Sequence, residues 1–367
     1  MGSTLRVKIM INKIADLLII LGLLVFGPAA TGGNTPGEPR LGEPPSAPTH
    51  ALVEGADGSA IRSGAYTLFL PAVRTPTAWM NTALRAESQQ FFHTDYLGTE
   101  NIDTGWQGDL DSCNAGATSE HYRAAVRRRI NYFRSMAGVP GIRELDAALN
   151  AKAQAAAMMM SVNESLSHFP PTDWTCYTTA GSEGAGSSNL ALGYRGTDAI
   201  SHGYMKDWGA NNYRVGHRRW ILYPQTQKMG TGDIPAHNGY PPTNALWVID
   251  HEHYLDPRPA TRDMFVAWPP PGYVPFQVVY PRWSFSWPKA EFNGATVTMT
   301  RAGQGVEVVI LPVATGAGEN TLVWEPQTGF TNPPAADTRY EISVENVIID
   351  GQTRSFTYEV IVFDPAK

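Results

Sequence analysis

A proline-rich stretch, Trp268-Pro-Pro-Pro-Gly272, divides this 367-residue chain into two regions that differ in the spacing of their apolar residues. Before it, apolar residues recur at helical spacing. After it, they alternate in short runs, as in Val306, Val308 and Ile310. A helix repeats about every 3.6 residues and a strand every two, so these spacings distinguish the two structures. The chain is therefore predicted to fold as a mixed α+β region followed by an all-β region.

Three helices are predicted in the first region. The clearest covers residues 119–137, and Gly138 and Pro140 end its pattern. A second is predicted over about 146–162, and a third from Thr197 or Asp198 to Asp207. Short strands are predicted at three further places, residues 220–223, 245–250 and 264–268.

The second region is predicted to contain short strands and no helix. The strands are expected at 276–280, 283–287, 295–300, 305–311, 321–325, 339–349 and 354–363. Asp350-Gly351 between the last two is a strong signal for a two-residue hairpin turn. These features predict an immunoglobulin-like β-sandwich over residues 273–367, which should fold on its own.

The N-terminus has the pattern of an export signal. Three basic residues, Arg6, Lys8 and Lys13, precede and border the unbroken apolar run 17–26, and small residues follow it. Residues 1–30 are predicted to be a signal peptide, with an uncleaved membrane anchor as the alternative. Residues 31–65, which are rich in Gly and Pro at their start, are predicted to form a flexible linker. Either N-terminal interpretation makes the protein secreted or extracellular.

Charge argues against nucleic acid as a partner. The formal net charge is −6, so the chain has no overall basic field to attract a phosphate backbone. Two local basic runs, residues 127–129 and 218–219, are too short to change this conclusion. They are expected to lie on solvated helix faces or to form local ion pairs.

The chain has two cysteines, Cys113 and Cys176. An even number in an exported chain favours one disulfide bond between them. Two unpaired thiols, one of them buried, are the alternative. No Cys-x-x-Cys pair is present, which argues against a cysteine metal site.

Two histidines and one carboxylate stand out as candidates for chemistry. His168 follows the second predicted helix and precedes a rigid Pro-Pro turn, and His217 follows a glycine. Asp207 ends the third predicted helix, shortly before His217. Two imidazoles with a nearby carboxylate are suited to binding a divalent metal or to acid–base chemistry. Spacing alone is weak support, because scattered histidines are more often structural.

The order of several short strings resembles the CAP superfamily, which comprises cysteine-rich secretory proteins, antigen 5 and plant pathogenesis-related proteins. The strings, in order, are Ile130-Asn-Tyr-Phe-Arg134, Val139-Pro, Leu-Ser-His168, Ser188-Asn189-Leu190-Ala191, Gly216-His217-Arg-Arg-Trp and Gly230-Thr-Gly232. The likeness is strongest to the bacterial SCP-domain branch and covers about residues 113–233. It implies a three-layer α-β-α sandwich, which we expect over residues 76–272.

The resemblance also implies a central cleft with two histidines and two acids. His168 and His217 match the histidines, and Asp207 is the nearest match to one acid. These three residues are the predicted metal ligands, and a weak Zn²⁺ site is the one cofactor that they allow.

The other acid of the family pattern is missing. Ser188 stands where an acidic residue is common, next to Asn189, and Glu183 could compensate from the preceding loop. Glu183, Ser188 and Asn189 are therefore predicted to line the cleft. Loss of one carboxylate weakens a hydrolytic mechanism and lowers the expected metal affinity.

A binding role is favoured over an enzymatic one. The partner would be a small apolar molecule or lipid, a cell-wall component or a surface protein, and the β-sandwich would be an accessory module. The alternative is a metal-assisted hydrolase or peptidase that uses His168, His217 and Asp207. A purely structural surface protein is a third, weaker interpretation. Fold resemblance does not decide between them, since function depends on the site.

Overall fold

The computed structural model of the protein describes residues 79–367. The predicted signal peptide or anchor at 1–30 and the predicted linker at 31–65 lie outside these residues. The described residues all belong to one compact unit, Arg74–Lys367. The structure is 27% helical and 28% strand, which confirms the predicted α+β class.

Helix α1 (Arg85–Phe91) continues as a π-helical segment, Phe92–Tyr96, and a 3-10 turn, Leu97–Thr99. Helix α2 (Glu120–Met136) begins where the Ser119 hydroxyl accepts a hydrogen bond from the backbone N–H of Tyr122. Phe92 and Tyr96 pack on the rings of α2, with Tyr96 5.3 Å from Tyr132. The predicted helix at 119–137 is confirmed.

Helix α3 (Ala147–Val162) confirms the second predicted helix. The Asp146 carboxylate caps it by accepting from the backbone N–H groups of Ala148 and Leu149. The helix lies directly on the central sheet: a Cβ atom on Gly232 would lie 2.1 Å from the Ala153 carbonyl carbon. Only glycine allows this approach.

The central sheet has four strands in the order β1-β3-β4-β2: β1 (Glu144–Leu145), β2 (Ser188–Leu192), β3 (Lys228–Ile234) and β4 (Thr243–Trp247). The β1–β3 pair is parallel and the other two pairs are antiparallel. Neighbouring residues of β4 face opposite sides. Leu246 packs in the core that contains Val126 of α2, and Ala245 packs with Ala153 of α3. Helices therefore cover both faces of the sheet, as the predicted α-β-α layering requires.

Three short helices complete this part of the chain. They are α4 (Thr179–Gly186), α5 (Gly196–Asp198), which continues as a π-helical segment Ala199–Met205, and α6 (Gly216–Ile221). The predicted strand at 220–223 is wrong, because α6 covers its first two residues and the last two form no strand. The first N–H groups of α6 are satisfied by the side chain of Asp207, a contact that lies outside any local pattern.

The C-terminal region forms two sheets. One has the order β10-β11-β7-β5 and the other β6-β13-β12-β8-β9. Their strands are β5 (Val266–Trp268), β6 (Gly272–Pro275), β7 (Trp283–Trp287), β8 (Thr296–Arg301), β9 (Gln304–Val306), β10 (Val308–Ile310), β11 (Asn320–Pro326), β12 (Thr338–Ile349) and β13 (Gln352–Phe363). The sheets pack through aromatic rings, with Phe285 5.0 Å from Phe356 and Trp283 6.0 Å from Tyr340.

Strands β12 and β13 form the hairpin predicted at Asp350-Gly351. Both turn residues have positive φ, 50° and 73°, as a type I′ turn requires. Two details differ from the prediction. Residues Phe276–Val278 form a 3-10 turn instead of a strand, and β6 pairs with β13 in parallel. The immunoglobulin-like topology therefore remains a prediction.

The proline-rich stretch does not separate the strands of the two regions. Strand β5 ends at the first residue of this stretch, Trp268, and pairs with β7, which follows the stretch. The two C-terminal sheets thus draw on residues before the predicted boundary at 273.

The basic run at 218–219 is not solvated, contrary to expectation. Arg218 and Arg219 are 1% and 5% exposed. Arg218 donates to the carbonyl oxygen of Arg282, and Arg219 to those of Glu319 and Ala314. Because these acceptors lie in the C-terminal region, the two arginines join the regions through hydrogen bonds.

The predicted disulfide bond between Cys113 and Cys176 is confirmed, with the two Cα atoms 5.2 Å apart. It joins the segment before α2 to the segment between α3 and α4. Among residues 79–367, no helix is both long enough and apolar enough to cross a membrane.

Candidate functional site

His217 lies in the first turn of α6 and is held by Asp207. The His217 Nδ1 atom is 2.7 Å from Asp207 Oδ1, and Asp207 Oδ2 accepts hydrogen bonds from the backbone N–H groups of His217 and Arg218. Asp207 is completely buried. Both carboxylate oxygens therefore accept hydrogen bonds within the protein, and Asp207 fixes the ring of His217 on its Nδ1 side.

This contact also determines which nitrogen of His217 is available. A carboxylate accepts hydrogen bonds, so His217 Nδ1 carries the hydrogen in the neutral ring. The Nε2 atom is then an acceptor, and it has no hydrogen-bond partner among the described residues. The arrangement presents one free imidazole lone pair.

Two residues near His217 have a left-handed backbone. Asp207 has φ 49° and Val215, immediately before α6, has φ 46°. The left-handed region is unusual for a β-branched residue such as Val215, which is also fully buried. Such conformations persist only where surrounding packing holds them, and they are concentrated at functional sites.

His168 is held in the same way. It follows α3, and its Nδ1 atom is 2.9 Å from the carbonyl oxygen of Ala185 in α4. Because a carbonyl oxygen only accepts, Nδ1 donates and Nε2 keeps its lone pair. The residue as a whole is exposed, but this edge of the ring is turned inward onto α4.

The two histidines lie within electrostatic range of each other. Desolvation lowers the pKa of His168 below its usual 6.5, the hydrogen bond to Ala185 opposes this shift, and the positive form of His217 adds to it. The fold thus brings together two residues that are far apart in sequence. His168 is kept neutral at neutral pH.

Asn189 on β2 and Tyr204 in the π-helical segment support His217. The Asn189 side chain donates to the carbonyl oxygen of His217 at 3.1 Å, and the Tyr204 hydroxyl donates to the carbonyl oxygen of Asn189 at 3.0 Å. The rings of Tyr204 and His217 are 5.5 Å apart. Ser188 is buried on β2, and its hydroxyl has no hydrogen-bond partner among the described residues.

Glu183 does not replace the missing acid. Its carboxylate forms an ion pair with Lys152 at 2.6 Å and is half exposed. No hydrogen bond or ion pair joins Glu183 to either histidine within residues 79–367. Asp207 is consequently the carboxylate that the structure places at the histidine pair.

The donor set suits only a weak metal site. Over residues 79–367, no group of three or more His, Cys, Asp or Glu side chains could hold a metal ion. Asp207 is already committed to His217, so His168 Nε2 and His217 Nε2 are the ligands that remain. Catalytic zinc sites use three protein ligands and structural ones four.

Residues from the C-terminal region complete the support of Asp207, and the sequence analysis did not identify them. Arg282, just before β7, donates to the carbonyl oxygen of Asp207 at 2.8 Å, and its Nε atom pairs with Glu325 at 2.9 Å. Arg218 donates through Nε to the carbonyl oxygen of Met205. The one feature of the sequence that could have indicated this support is the run Arg218-Arg219, which directly follows His217.

Exposed apolar residues neighbour His168 and Asp207 in the sequence. Leu166 and Phe169, on either side of His168, are 44% and 63% exposed, and Trp208, next to Asp207, is 58% exposed. We call His168, His217 and these three apolar residues the histidine cleft.

Comparison with known proteins identifies one family. The family description "Cysteine-rich secretory protein family", CAP, matches residues 127–250, which contain α3, the central sheet, both histidines and Asp207. No curated protein matches the chain.

The solved structures that match include PcoC, a methionine-rich copper resistance protein from Escherichia coli, and its selenomethionine form. The identities are 16% and 18%, covering 26% and 28% of this chain and 92% and 99% of those chains, with a TM-score of 0.20 for each. A TM-score this low supports no inference about fold or copper binding.

Proposed function

Residues 127–250 belong to the CAP family, and from this premise we propose that the protein binds a ligand in the histidine cleft outside the cytoplasm. One observation carries the proposal. Both histidines are tied at Nδ1, to Asp207 and to the carbonyl oxygen of Ala185, so that both leave Nε2 available. Paired ring nitrogens fixed in this way are suited to receiving a ligand group.

The lining indicates the chemistry of the ligand. In the neutral form of the rings, the two imidazoles offer acceptor nitrogens, which pair with a hydroxyl or amide hydrogen. The exposed Leu166, Phe169 and Trp208, which neighbour His168 and Asp207 in the sequence, would add apolar surface. An amphipathic ligand fits both features, because it has an apolar part and at least one hydrogen-bond donor. Lipids, cell-wall fragments and protein side chains include molecules of this kind.

A divalent ion is a second occupant of the same two nitrogens. Zn²⁺ binds neutral imidazole, and with two protein ligands water would complete its coordination. We expect binding to be weak, because Asp207 is engaged with His217 and Glu183 with Lys152.

A hydrolase is the alternative, and the Asp207–His217 pair favours it. A carboxylate that fixes Nδ1–H of a histidine leaves Nε2 positioned to act as a general base. Hydrolysis also requires a nucleophile, either a metal-bound water or a side chain. The missing second acid and the weak donor set make binding the better-supported function.

An extracellular location is consistent with the disulfide bond. Cys113 and Cys176 are joined, and disulfides persist in oxidising compartments. CAP proteins are typically secreted.

The test uses the whole protein and three variants, His168→Ala, His217→Ala and the control His121→Ala. His121 is exposed on α2, away from the histidine cleft. Zn²⁺ and a panel of lipids and cell-wall fragments are titrated by calorimetry, and ester and peptide cleavage is assayed in parallel.

We expect both cleft variants to lose most of the binding and His121→Ala to keep it. Unchanged binding in both cleft variants would show that the histidines are structural. Cleavage activity that disappears in both of them would replace the binding function with the hydrolase.

A further inference from the structure

A cavity of about 400 Å³ lies between α2, the beginning of α5 and residues 99–102. Its wall includes Tyr122, Arg129, Arg195 and Asp198, and none of the residues of the histidine cleft. Ligand cavities typically measure about 300–1,000 Å³, so this volume admits a molecule of a few carbons up to sugar size.

The acidic groups of this cavity already have basic partners. Glu100 Oε1 lies 3.9 Å from Arg129 Nη2, and Asp198 Oδ1 lies 2.6 Å from His202 Nδ1. Arg129 is buried, and its donors are further used by Thr99, Ser201 and the carbonyl oxygen of Tyr96.

Arg195 differs from these residues. It is half-buried in the wall, and no carboxylate of residues 79–367 forms an ion pair with it. A guanidinium is always charged and presents a planar set of donors that matches a carboxylate. The cavity therefore holds one cation without an anionic partner.

The Tyr122 hydroxyl lies beside this cation. Tyr122 is 4% exposed, and the Arg195 guanidinium and the fully buried carboxylate of Asp233 both lie within hydrogen-bonding reach of its hydroxyl. Burial raises the pKa of Tyr122, so the hydroxyl remains a donor at neutral pH.

Gly196 makes the approach of these groups possible. It has φ 47°, and a Cβ atom there would lie 2.1 Å from the Tyr122 hydroxyl oxygen. A glycine directly after Arg195 thus lets the backbone pass against the tyrosine and holds the arginine next to it.

We propose that this cavity binds a small hydroxylated monocarboxylic acid, with its carboxylate on the guanidinium of Arg195. One unmatched guanidinium neutralises one carboxylate and can bind it through two hydrogen bonds. A phosphate, with nearly two charges, would meet the acids Glu100 and Asp198 in the same wall. Those acids and the exposed amide of Asn101 are acceptors for the hydroxyl groups of the ligand.

The test measures binding of lactate, glycerate, gluconate and glucuronate by ligand-observed NMR, followed by calorimetry on each acid that binds. Glucose serves as the neutral comparison and inorganic phosphate as the dianionic one. The proteins are the wild type, Arg195→Gln, Arg195→Lys and the control Arg354→Gln, which removes an exposed arginine of β13. Circular dichroism establishes that each variant folds.

We expect at least one acid to bind the wild type more tightly than glucose and phosphate do. Arg195→Gln should weaken that binding at least about tenfold, because a charge-assisted hydrogen bond is lost. Arg195→Lys should give an intermediate affinity, since it keeps the charge and loses the planar pair of donors. Arg354→Gln should bind like the wild type.

Four results would overturn the proposal: no acid binds, glucose binds equally well, phosphate binds more tightly, or Arg195→Gln binds like the wild type. His217→Ala separates this site from the histidine cleft. It should leave acid binding unchanged, and a loss there would place the acid in the other cleft.

Discussion

The Asp207 carboxylate determines what His217 can do. It accepts three hydrogen bonds, from His217 Nδ1 and from two backbone N–H groups at the start of α6. The same contact therefore orients the ring and caps the helix. A buried acceptor with this many donors cannot be changed without leaving some of them unpaired.

Asp207→Asn should lower the free energy of unfolding by about 1–3 kcal/mol, because an amide retains one acceptor oxygen and adds a donor where a donor already points. Ligand binding in the histidine cleft should weaken as well. The matched control is Asp198→Asn, which breaks an exposed Asp–His pair that contributes at most about 1 kcal/mol. Urea titrations measure both. Equal effects of the two substitutions would contradict the role given to Asp207.

His168 should make stability depend on pH. Its pKa is lowered in the folded protein by desolvation and by His217, so on acidification the unfolded chain takes up the proton first. The contribution of His168 is complete above its unfolded pKa of about 6.5 and is lost as pH falls through the folded value. Thermal melts from pH 8 to pH 4.5 should show a smaller decrease for His168→Gln than for the wild type. Parallel curves for the two proteins would contradict this prediction.

Among the elements, α6 connects the histidine cleft to the C-terminal sheets. Its first residues carry His217, and the next two, Arg218 and Arg219, reach backbone carbonyl groups of the other region. Burial lowers the pKa of each arginine to about 10. These side chains explain why the helix is placed where it is.

Arg218→Ala should destabilise the protein by about 3 kcal/mol, because it leaves the buried carbonyl groups of Met205 and Arg282 and the Ser284 hydroxyl without a donor. Binding in the histidine cleft should also weaken, since Met205 and Arg282 flank Asp207. Arg214→Ala is the control, because Arg214 is exposed just before α6. Denaturant titration and calorimetry report the two effects. A stable variant with normal ligand binding would show that α6 is held by other contacts.

The disulfide bond also belongs to this scale, because it fixes the segment between α3 and α4 that carries His168. It closes a loop with a sequence separation of 63, for which chain entropy gives about 4 kcal/mol of stabilisation. We expect no free thiol by alkylation and mass spectrometry, and a clear decrease in melting temperature with reductant. A melt unaffected by reductant, after alkylation has shown complete reduction, would mean that the bond adds no stability.

The sequence predicted the elements whose signals are local. Helices α2 and α3 follow from apolar periodicity with Ser119 and Asp146 as caps, and the β12–β13 hairpin follows from Asp350-Gly351. Helix α6 was missed because its cap, Asp207, is ten residues away. Side chains that meet through tertiary packing have no local signal.

In the candidate site, too, the features with a local sequence signal were predicted and those that depend on tertiary packing were not. His168, His217 and Asp207 were identified from their strings, but the role of Asp207 behind His217 became visible only in the fold. Arg282 could not be assigned to the site, since it contacts Asp207 across 75 sequence positions. The cavity at Arg195 is likewise assembled from residues 99–202, which share no local pattern.

At the scale of the whole molecule, the two regions share buried polar contacts and a sheet. Glu319 in the C-terminal region is 7% exposed, and its ion pair is with Arg258 of the first region. Strand β5 from the first region completes the sheet of β7, and Phe265 packs 4.8 Å from Phe285. The C-terminal sheets are therefore part of the structure that holds Asp207 and His217.

This arrangement predicts that residues 74–367 unfold in one cooperative transition and that a fragment of residues 273–367 does not fold cooperatively. The fragment lacks β5 and Phe265, so aromatic rings that they cover, such as that of Phe285, become exposed. It also keeps Glu319 but lacks Arg258, and a buried carboxylate without its ion-pair partner is destabilising. A fragment of residues 258–367, which restores Arg258 and β5, is the matched control and should recover part of the transition. Near-ultraviolet circular dichroism and thermal melts compare the three proteins. A sharp melt with native-like aromatic signals in 273–367 would instead establish the independent domain that the sequence pattern predicts. The hydrogen bonds from the arginines of α6 would then only join two domains that fold separately.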